Sequence, residues 1–410
     1  IINERIKEYS ENIIEYQCGF RINRGTSDQL FVMRQTIERS YEYGIDLHIL
    51  FVDYKQAFDS INRNKLVQAL EHFEIPLKLI NLVKMTLHQT TAKVKIEQQI
   101  GEEFIYSKGV KQGDGLSTTL FILALHTAIQ LIDKRGTITY KSSQICAYAD
   151  DVAIVTRTEE LKKVYEQLEE TTNKLGLYTN TSKTKYMIIS RDEQKRNKTS
   201  IKIGSKEFAC VSTFKYLGLL IDNCNNITNV IRDRIQTGNK AYYANIQLLK
   251  NKTINRKVKL KIYKTLIRPI VIYGSEVWTL TKETELNLRV FERKIIRKIY
   301  GLIKRGDLWK IRTNEEIDII LEREDIVRYI KSQRLRWLGH IERMEDHRLP
   351  KKILQEKIFY NRRRGRPKQR WLENVTKDLR IMKVRNWKEV ARKRETWRQL
   401  VEEAKAHVGL

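Results

Sequence analysis

Residues 144–156 read Gln-Ile-Cys-Ala-Tyr-Ala-Asp-Asp-Val-Ala-Ile-Val-Thr, two short apolar runs that flank a pair of adjacent carboxylates. The pattern predicts a strand, a tight turn and a second strand, with Asp150 and Asp151 at the tip. Adjacent carboxylates repel each other, and a divalent cation between them turns that repulsion into attraction. An ordinary Asp-rich turn is the simpler explanation of these residues taken alone, so the interpretation depends on the rest of the chain.

A second apolar run, upstream, also ends in a carboxylate. Residues 47–52 are predicted to form a buried strand, Asp53 follows directly, and a helix is expected from about Asn62. Rigid backbone fixes a side chain at a strand end, and the following loop leaves it open, so Asp53, Asp150 and Asp151 are candidate ligands of one metal site. Oxygen ligands of this kind suit Mg²⁺ or Mn²⁺, and two such ions support phosphoryl transfer. This is the chemistry of a polymerase.

Six segments, in order, resemble the reverse transcriptase of a non-LTR (LINE-type) retrotransposon. They are residues 17–29 (after the fingers), 51–60 (motif A), 109–117 (motif B), 147–151 (motif C), 175–185 (motif D) and 214–218 (motif E). Each segment alone is weak, but six in the correct order at workable spacings are specific. The resemblance implies an RNA-directed DNA polymerase that copies element RNA onto a DNA 3′-hydroxyl by target-primed synthesis.

The resemblance also implies roles for individual residues. Asp53, Asp150 and Asp151 would bind two Mg²⁺ ions, with Mn²⁺ as an alternative, and Lys183 would donate a proton to the leaving pyrophosphate. The residues expected to bind the substrate are Tyr54, Phe58, Gln112, Gly113 and Tyr148. Phe58 matches the steric gate of the family, which excludes a 2′-hydroxyl, and core packing is its alternative role. The primer grip would consist of Tyr216, Leu217 and Gly218. Lys185 is the alternative proton donor.

The composition favours a globular protein that binds nucleic acid. The 410 residues are 41% hydrophobic with four prolines, and 78 Lys and Arg against 50 Asp and Glu give a net charge of +28. Such a surface attracts polyanions. The four cysteines lack Cys-x-x-Cys spacing, and the apolar runs are too short to span a membrane. We expect an intracellular protein, nuclear during integration, whose partners are template RNA, primer or target DNA and deoxynucleoside triphosphates, with no membrane.

The order of predicted elements indicates an α+β right-hand polymerase. Partial fingers are expected over residues 1–46, a palm with motifs A to E over 47–225, a helical thumb over 226–303 and a basic, mainly helical nucleic-acid-binding module over 304–410. Apolar periodicity predicts helices over residues 27–43, 118–132 and 159–175, and two helices separated by Pro76.

The C-terminal module concentrates charge and tryptophan. The last 80 residues hold about 24 Lys and Arg against about 10 Asp and Glu, and five of the six tryptophans follow Ile303. Residues 334–344 predict a helix with a basic face. The sharpest feature is a segment that Gly and Pro keep extended, with the basic residues Arg362, Arg363, Arg364, Arg366 and Lys368. It resembles an AT-hook core, which enters the A·T minor groove, but we favour a loop that contacts phosphates only.

Two alternatives stay open. Residues 1–16 are too short for the fingers strands whose Lys and Arg contact the triphosphate in this family, and the chain begins with Ile1, so we expect a fragment of a longer reading frame. A decayed or domesticated element that binds nucleic acid without catalysis fits this, although the three carboxylates are present. A group II intron-type reverse transcriptase with maturase function is the other alternative, and residues 334–344 argue against it.

Overall fold

The computed structural model describes residues 1–11, 16–130, 132, 143–157, 160–356 and 370–410. The chain forms two compact units, residues 1–217 with 355–362, and residues 218–354 with 363–410. Helices and strands mix in the first unit and helices dominate the second, which agrees with the predicted α+β class. The finer division into fingers, palm, thumb and tail stays a prediction. In the described part of the chain, no helix is both long and apolar enough to cross a bilayer.

The first unit is built from both kinds of element. Its helices are α1 (Ile2–Ser10), α2 (Thr26–Tyr43), α3 (Ala57–Ser60), α4 (Arg63–His72), α5 (Leu77–Leu87), α6 (Gly115–Ile129), α7 (Leu161–Lys174) and α8 (Glu193–Arg196). Its strands are β1 (Leu47–Val52), β2 (Thr91–Ile96), β3 (Gln99–Ile105), β4 (Ser143–Tyr148), β5 (Asp151–Thr156), β6 (Lys185–Ile189), β7 (Ser200–Ile203), β8 (Lys206–Ala209) and β9 (Thr213–Tyr216).

A four-stranded antiparallel sheet in the order β4-β5-β1-β6 lies at the centre of this unit. The predicted hairpin is present, with Tyr148 opposite Asp151 across β4 and β5. β1 is an inner strand whose residues are almost all buried, which explains its unbroken apolar sequence. It pairs with β5 so that Val52 lies opposite Val152. The strands that carry the three carboxylates are therefore neighbours, as expected.

Helix α6 is the centre of the packing around this sheet. Its sequence is apolar on every side, and α1, α4 and α7 all contact it. A helix of this kind is stable only when it is buried all round, and Leu120, Phe121 and Leu123 are at most 1% exposed. The Asp114 carboxylate accepts a hydrogen bond from the Leu116 N–H (3.0 Å) and caps the helix. This cap explains why α6 begins earlier than its periodicity predicts.

The other predicted helices of this unit form close to their expected limits. α2 ends at Gly44, whose φ of 68° closes the helix in the left-handed region. α4 and α5 lie on either side of Pro76. α7 begins two residues later than predicted, at Leu161, and buries one face of an otherwise charged helix.

The second unit is mainly helical. Its strands are β10 (Leu219–Asp222), β11 (Ile303–Arg305) and β12 (Leu308–Lys310). Its helices are α9 (Ile227–Ala244), α10 (Ile246–Lys250), α11 (Arg256–Ile262), α12 (Arg268–Ile272), α13 (Lys282–Tyr300), α14 (Asn314–Ile320), α15 (Ile326–Arg343), α16 (Leu349–Gln355), α17 (Trp371–Ile381), α18 (Trp387–Arg392) and α19 (Arg394–Ala404). A π-helical turn at Tyr263–Ile267 joins α11 to α12.

Helix α15 is the central element of the second unit and contacts α13, α17, α18 and α19. A Cβ on Gly339 would lie 2.1 Å from Nε1 of Trp397, so only glycine lets this indole cross the helix. The indole N–H donates to the Leu335 carbonyl (2.9 Å). The predicted helix is present, but its basic face is incomplete because Arg334 is fully buried.

Candidate active site

The β4–β5 hairpin presents two carboxylates at its tip. Ala149 occupies the left-handed region (φ 55°), Asp150 follows it half-buried, and Asp151 begins β5 with its side chain exposed. β1 stops at Val52 opposite Val152, and one further step in that register places Asp53 opposite Asp151. The sheet therefore brings the ends of motifs A and C to the same edge.

Burial, together with the neighbouring carboxylates, raises the pKa values of Asp150 and Asp151. The pKa of Asp151 is raised to about 6, first by loss of water around it and then by repulsion from Asp150 and Asp53. Burial raises the pKa of Asp150, and the charge on Asp53 adds to this. Charged groups that repel each other in a folded chain cost free energy unless something else binds there.

The segment of motif D holds the backbone of Asp53 in place. The Asp53 N–H donates to the Thr184 hydroxyl (3.1 Å), and the Asn180 N–H donates to the Asp53 carbonyl (2.7 Å). Two residues further, the Lys55 N–H donates to the Tyr178 carbonyl (2.9 Å). Thr184 is fully buried. These contacts fix the position of the Asp53 backbone and connect motif A to motif D.

The side chains at this edge suit a hard divalent cation. Oδ2 of Asp53 is buried and finds no hydrogen-bond donor among the described residues. An orphaned carboxylate oxygen beside two further carboxylates is a set of ligands that Mg²⁺ and Mn²⁺ prefer. Within the described ranges, however, no three His, Cys, Asp or Glu side chains already stand close enough together to enclose a metal ion.

Motif B lies against motif A. The Val110 N–H donates to the Phe58 carbonyl (2.8 Å), and a Cβ on Gly109 would lie 2.5 Å from the Asp59 carbonyl oxygen. With its φ of 78°, Gly109 therefore needs to be glycine. The ring of Phe58 stacks on Phe121 with centroids 4.4 Å apart and is half-buried, so one part packs in the core while another faces outward. Of the predicted substrate-binding residues, Gln112 and Gly113 lie exposed in the loop that follows.

Two predicted contact residues have their rings in the core instead. Tyr54 is 5% exposed within the hydrophobic cluster, and burial raises its pKa. Tyr216 is 2% exposed, and its hydroxyl donates to the Cys146 carbonyl (3.5 Å). Contact of either ring with a substrate or a primer would require that ring to leave its packing. Tyr148, at the hairpin, is half-buried.

The rest of the predicted primer grip is a tight turn. Leu217 (φ 47°) and Gly218 (φ 76°) are consecutive left-handed residues, and Gly218 is exposed. Within motif E, Gly218 at this turn and Lys215 are the exposed residues.

The two candidate proton donors, Lys183 and Lys185, differ in whether their ammonium groups are held by hydrogen bonds. Lys183 is exposed, and its ammonium group makes no hydrogen bond within the described residues. Nζ of Lys185 donates to the Ser182 carbonyl (2.7 Å) and is held close to its own backbone. Of the two lysines, Lys183 is the one whose ammonium group is not held by the described residues, and its role as proton donor stays a prediction. The basic residues Arg362, Arg363, Arg364, Arg366 and Lys368 lie outside the described part of the chain.

Sequence reasoning missed one polar side chain at this site. Gln17 is 1% exposed and hydrogen-bonds the backbone of Ala149, between Tyr148 and Asp150. The chain position of Gln17 gives no local signal of this contact, because the partners are 132 residues apart. Arg21 is also buried, and its guanidinium donates to the Gln17 carbonyl (3.2 Å), so it is not available to a triphosphate.

Comparison with known proteins identifies relatives of this chain. Residues 1–221 match the family described as reverse transcriptase (RNA-dependent DNA polymerase). A putative uncharacterized transposon-derived protein of Caenorhabditis elegans is 23% identical over 260 residues, which cover 61% of this chain and 92% of that protein. The RNA-directed DNA polymerase from mobile element jockey of Drosophila melanogaster is 24% identical over 328 residues. That alignment covers 75% of this chain but 34% of the jockey protein, so the chain spans about a third of that relative.

The resemblance to reverse transcriptases of LINE-type elements is thereby confirmed. Among solved structures, apo telomerase from Candida tropicalis aligns with 86% of this chain and 54% of its own, at 13% identity and a TM-score of 0.43. That similarity is too distant to add to the family match.

Proposed function

This chain belongs to the reverse transcriptase family, and we propose that it is the RNA-directed DNA polymerase of a non-LTR (LINE-type) retrotransposon. The observation that carries the proposal is the shared sheet edge of Asp53, Asp150 and Asp151, where Oδ2 of Asp53 is buried without a donor among the described residues. An edge of repelling carboxylates suits an enzyme that binds divalent ions with its nucleotide. The substrates would be template RNA, a primer or target DNA and deoxynucleoside triphosphates.

The proposed mechanism divides the work among the motifs. Asp53, Asp150 and Asp151 would hold two Mg²⁺ ions, with Mn²⁺ as a substitute. When bound, the ions stabilise the attacking 3′-oxygen and the leaving pyrophosphate. Lys183 would protonate the pyrophosphate from its exposed position, and the outward part of Phe58 would exclude a 2′-hydroxyl.

The remaining contacts would be made by backbone and by basic side chains. The exposed loop at Gln112 and Gly113 would lie against the templating pair, and the turn at Leu217 and Gly218 against the primer end. The basic segment at residues 362–368 would contact phosphates. The protein would act in the nucleus when the element integrates.

Primer extension tests the proposal. The full translated reading frame that contains these residues should extend oligo(dT) on poly(rA) with dTTP and Mg²⁺. Asp150→Asn should lower the rate by several orders of magnitude, because it removes charge that both ions use. The matched control is Glu97→Gln, an exposed carboxylate in the same unit, which should extend like the parent.

Extension by Asp150→Asn at the parental rate would overturn the proposed chemistry. Nucleic-acid binding without extension by the parent would instead favour the domesticated, non-catalytic alternative.

A further inference from the structure

A buried amide side chain clamps the tip of the catalytic hairpin. Oε1 of Gln17 accepts hydrogen bonds from the Ala149 N–H (2.9 Å) and the Gly19 N–H (2.8 Å). Nε2 of Gln17 donates to the Ala149 carbonyl (3.1 Å). One side chain therefore satisfies both backbone groups of the residue that precedes Asp150.

The clamped residue adopts a costly conformation. Ala149 has a φ of 55°, in the left-handed region, which residues with a Cβ enter only at an energetic cost. It is also 5% exposed, so water cannot readily replace the hydrogen bonds that Gln17 supplies. A Cβ on Gly19 would lie 2.3 Å from the Ala149 nitrogen, so the chain around Gln17 lies directly against the tip.

The clamp itself is anchored to the hairpin. The Cys18 N–H donates to the Ala147 carbonyl (3.0 Å), and the Ala147 N–H donates to the Tyr16 carbonyl (2.8 Å), so residues 16–18 run alongside β4. Nε2 of Gln29, on α2, also donates to the Ala147 carbonyl (3.0 Å). A side chain on so rigid a support can hold Ala149 in one position.

We propose that Gln17 is a positioning residue for the metal site, which fixes Asp150 by clamping the Ala149 backbone. This role rests on the proposed function, because Asp150 needs a fixed position only if it binds a metal ion. Groups that orient a metal ligand are worth about 10- to 100-fold in metal affinity or activity when they are removed. Gln17 acts through Ala149 and contacts no substrate.

Hydrogen exchange in the parent chain tests the clamp directly. The amides of Ala149 and Gly19 should exchange far more slowly than those of an unstructured peptide, because Oε1 of Gln17 accepts both. Exchange of both amides at the unstructured rate would overturn the clamp without any variant.

Two matched variants test the positioning role. Gln17→Met keeps the side-chain size and removes all three hydrogen bonds, whereas Gln144→Met replaces another buried glutamine on β4, away from the tip. Binding of Mn²⁺, measured by electron paramagnetic resonance, should weaken about 10- to 100-fold in Gln17→Met and by less than about twofold in Gln144→Met. Exchange at Ala149 should accelerate only in Gln17→Met.

Parental Mn²⁺ affinity in Gln17→Met would overturn the role, and so would an equal loss in both variants, since that indicates general packing. These readouts do not require polymerisation. If Asp150→Asn extends primers normally, the proposed function fails while amide exchange at Ala149 still reports on the clamp.

Discussion

Asp378 in the second unit and Asp151 in the first both have raised pKa values, but their surroundings are opposite. Asp378 is 4% exposed, and burial raises its pKa against the pull of Arg334 and Lys331. Both cations approach its carboxylate to 3.6 Å. Asp151 is exposed, and its charged neighbours are the acids Asp150 and Asp53. Among the described residues, two cations lie beside the buried Asp378, whereas the charged groups that shift the pKa of Asp151 are the acids Asp150 and Asp53.

The cations around Asp378 are themselves part of a larger buried network. Nζ of Lys331 lies 3.1 Å from the Glu285 carboxylate, and Nη2 of Arg334 donates to Oδ1 of Asn374 at 2.5 Å. Such a network fixes how α13, α15 and α17 meet, and removing one member leaves charge buried without its partner. Compensated charge therefore belongs to the structure around Asp378, whereas the uncompensated charge at the hairpin tip is where we propose that the divalent ions bind.

Glu292 shows a third way to accommodate a carboxylate. It is 1% exposed on α13, and burial raises its pKa to about 7. The Tyr263 hydroxyl and the Ile326 N–H each donate to it at 2.7 Å and oppose that shift. Protonation therefore reduces the negative charge that is buried at Glu292, whereas Lys331 and Arg334 compensate the charge of Asp378.

Loss of the buried network around Asp378 should change the stability of the second unit more than any other substitution considered. Asp378→Ala should lower the free energy of unfolding of the second unit by about 3–5 kcal/mol, because Arg334 stays buried without its carboxylate. All six tryptophans lie in this unit, so tryptophan fluorescence during urea unfolding follows it alone. The control is Asp346→Ala, whose side chain is 90% exposed beside Lys351 and should have little effect. A loss for Asp378→Ala no greater than the control would show that the network is not structural.

A smaller effect is expected from pH. The pKa of Glu292 is about 7 in the folded chain and lies near 4.5 when unfolded, so folding favours the protonated form. This contribution to stability is complete below about pH 4.5 and is lost as the pH rises through 7. It amounts to on the order of 3 kcal/mol.

Tryptophan fluorescence should therefore show the second unit losing stability between pH 5 and about 8. Glu292→Gln, which stays neutral, should show a much flatter dependence. The same slope in the parent and in Glu292→Gln would assign the dependence to other groups.

The local sequence pattern correctly predicted elements whose formation depends on neighbouring residues, such as the hairpin and the ends of helices. The hairpin around Asp150 follows from two apolar runs and a tight turn, and the end of α2 follows from Gly44. The grouping of Asp53 with that hairpin was inferred from carboxylates at the ends of apolar strands and was strengthened by the family resemblance, and the register of β1 and β5 agrees with it.

Contacts between distant parts of the chain could not be predicted in this way. The Gln17 clamp joins residues 132 positions apart, and the resemblance of residues 17–29 to the family does not reveal this contact. The resemblance assigned contact roles to Tyr54 and Tyr216, and the helical pattern placed Arg334 on a basic face, but long-range packing buries all three. The roles assigned to the exposed loop at Gln112 and to Lys183 stay predictions.

We propose that the carboxylates at the hairpin repel one another until a divalent cation binds. The direct measurement is hydrogen exchange at the amides of β1 and β5 in Asp150→Asn and in the parent, each with EDTA and with Mg²⁺. Without metal, Asp150→Asn should be slightly more stable, by less than about 1 kcal/mol, because one repelling charge is gone. Mg²⁺ should stabilise the parent by mass action and stabilise Asp150→Asn much less. A variant less stable than the parent in EDTA, or equal stabilisation of both by Mg²⁺, would contradict the claim.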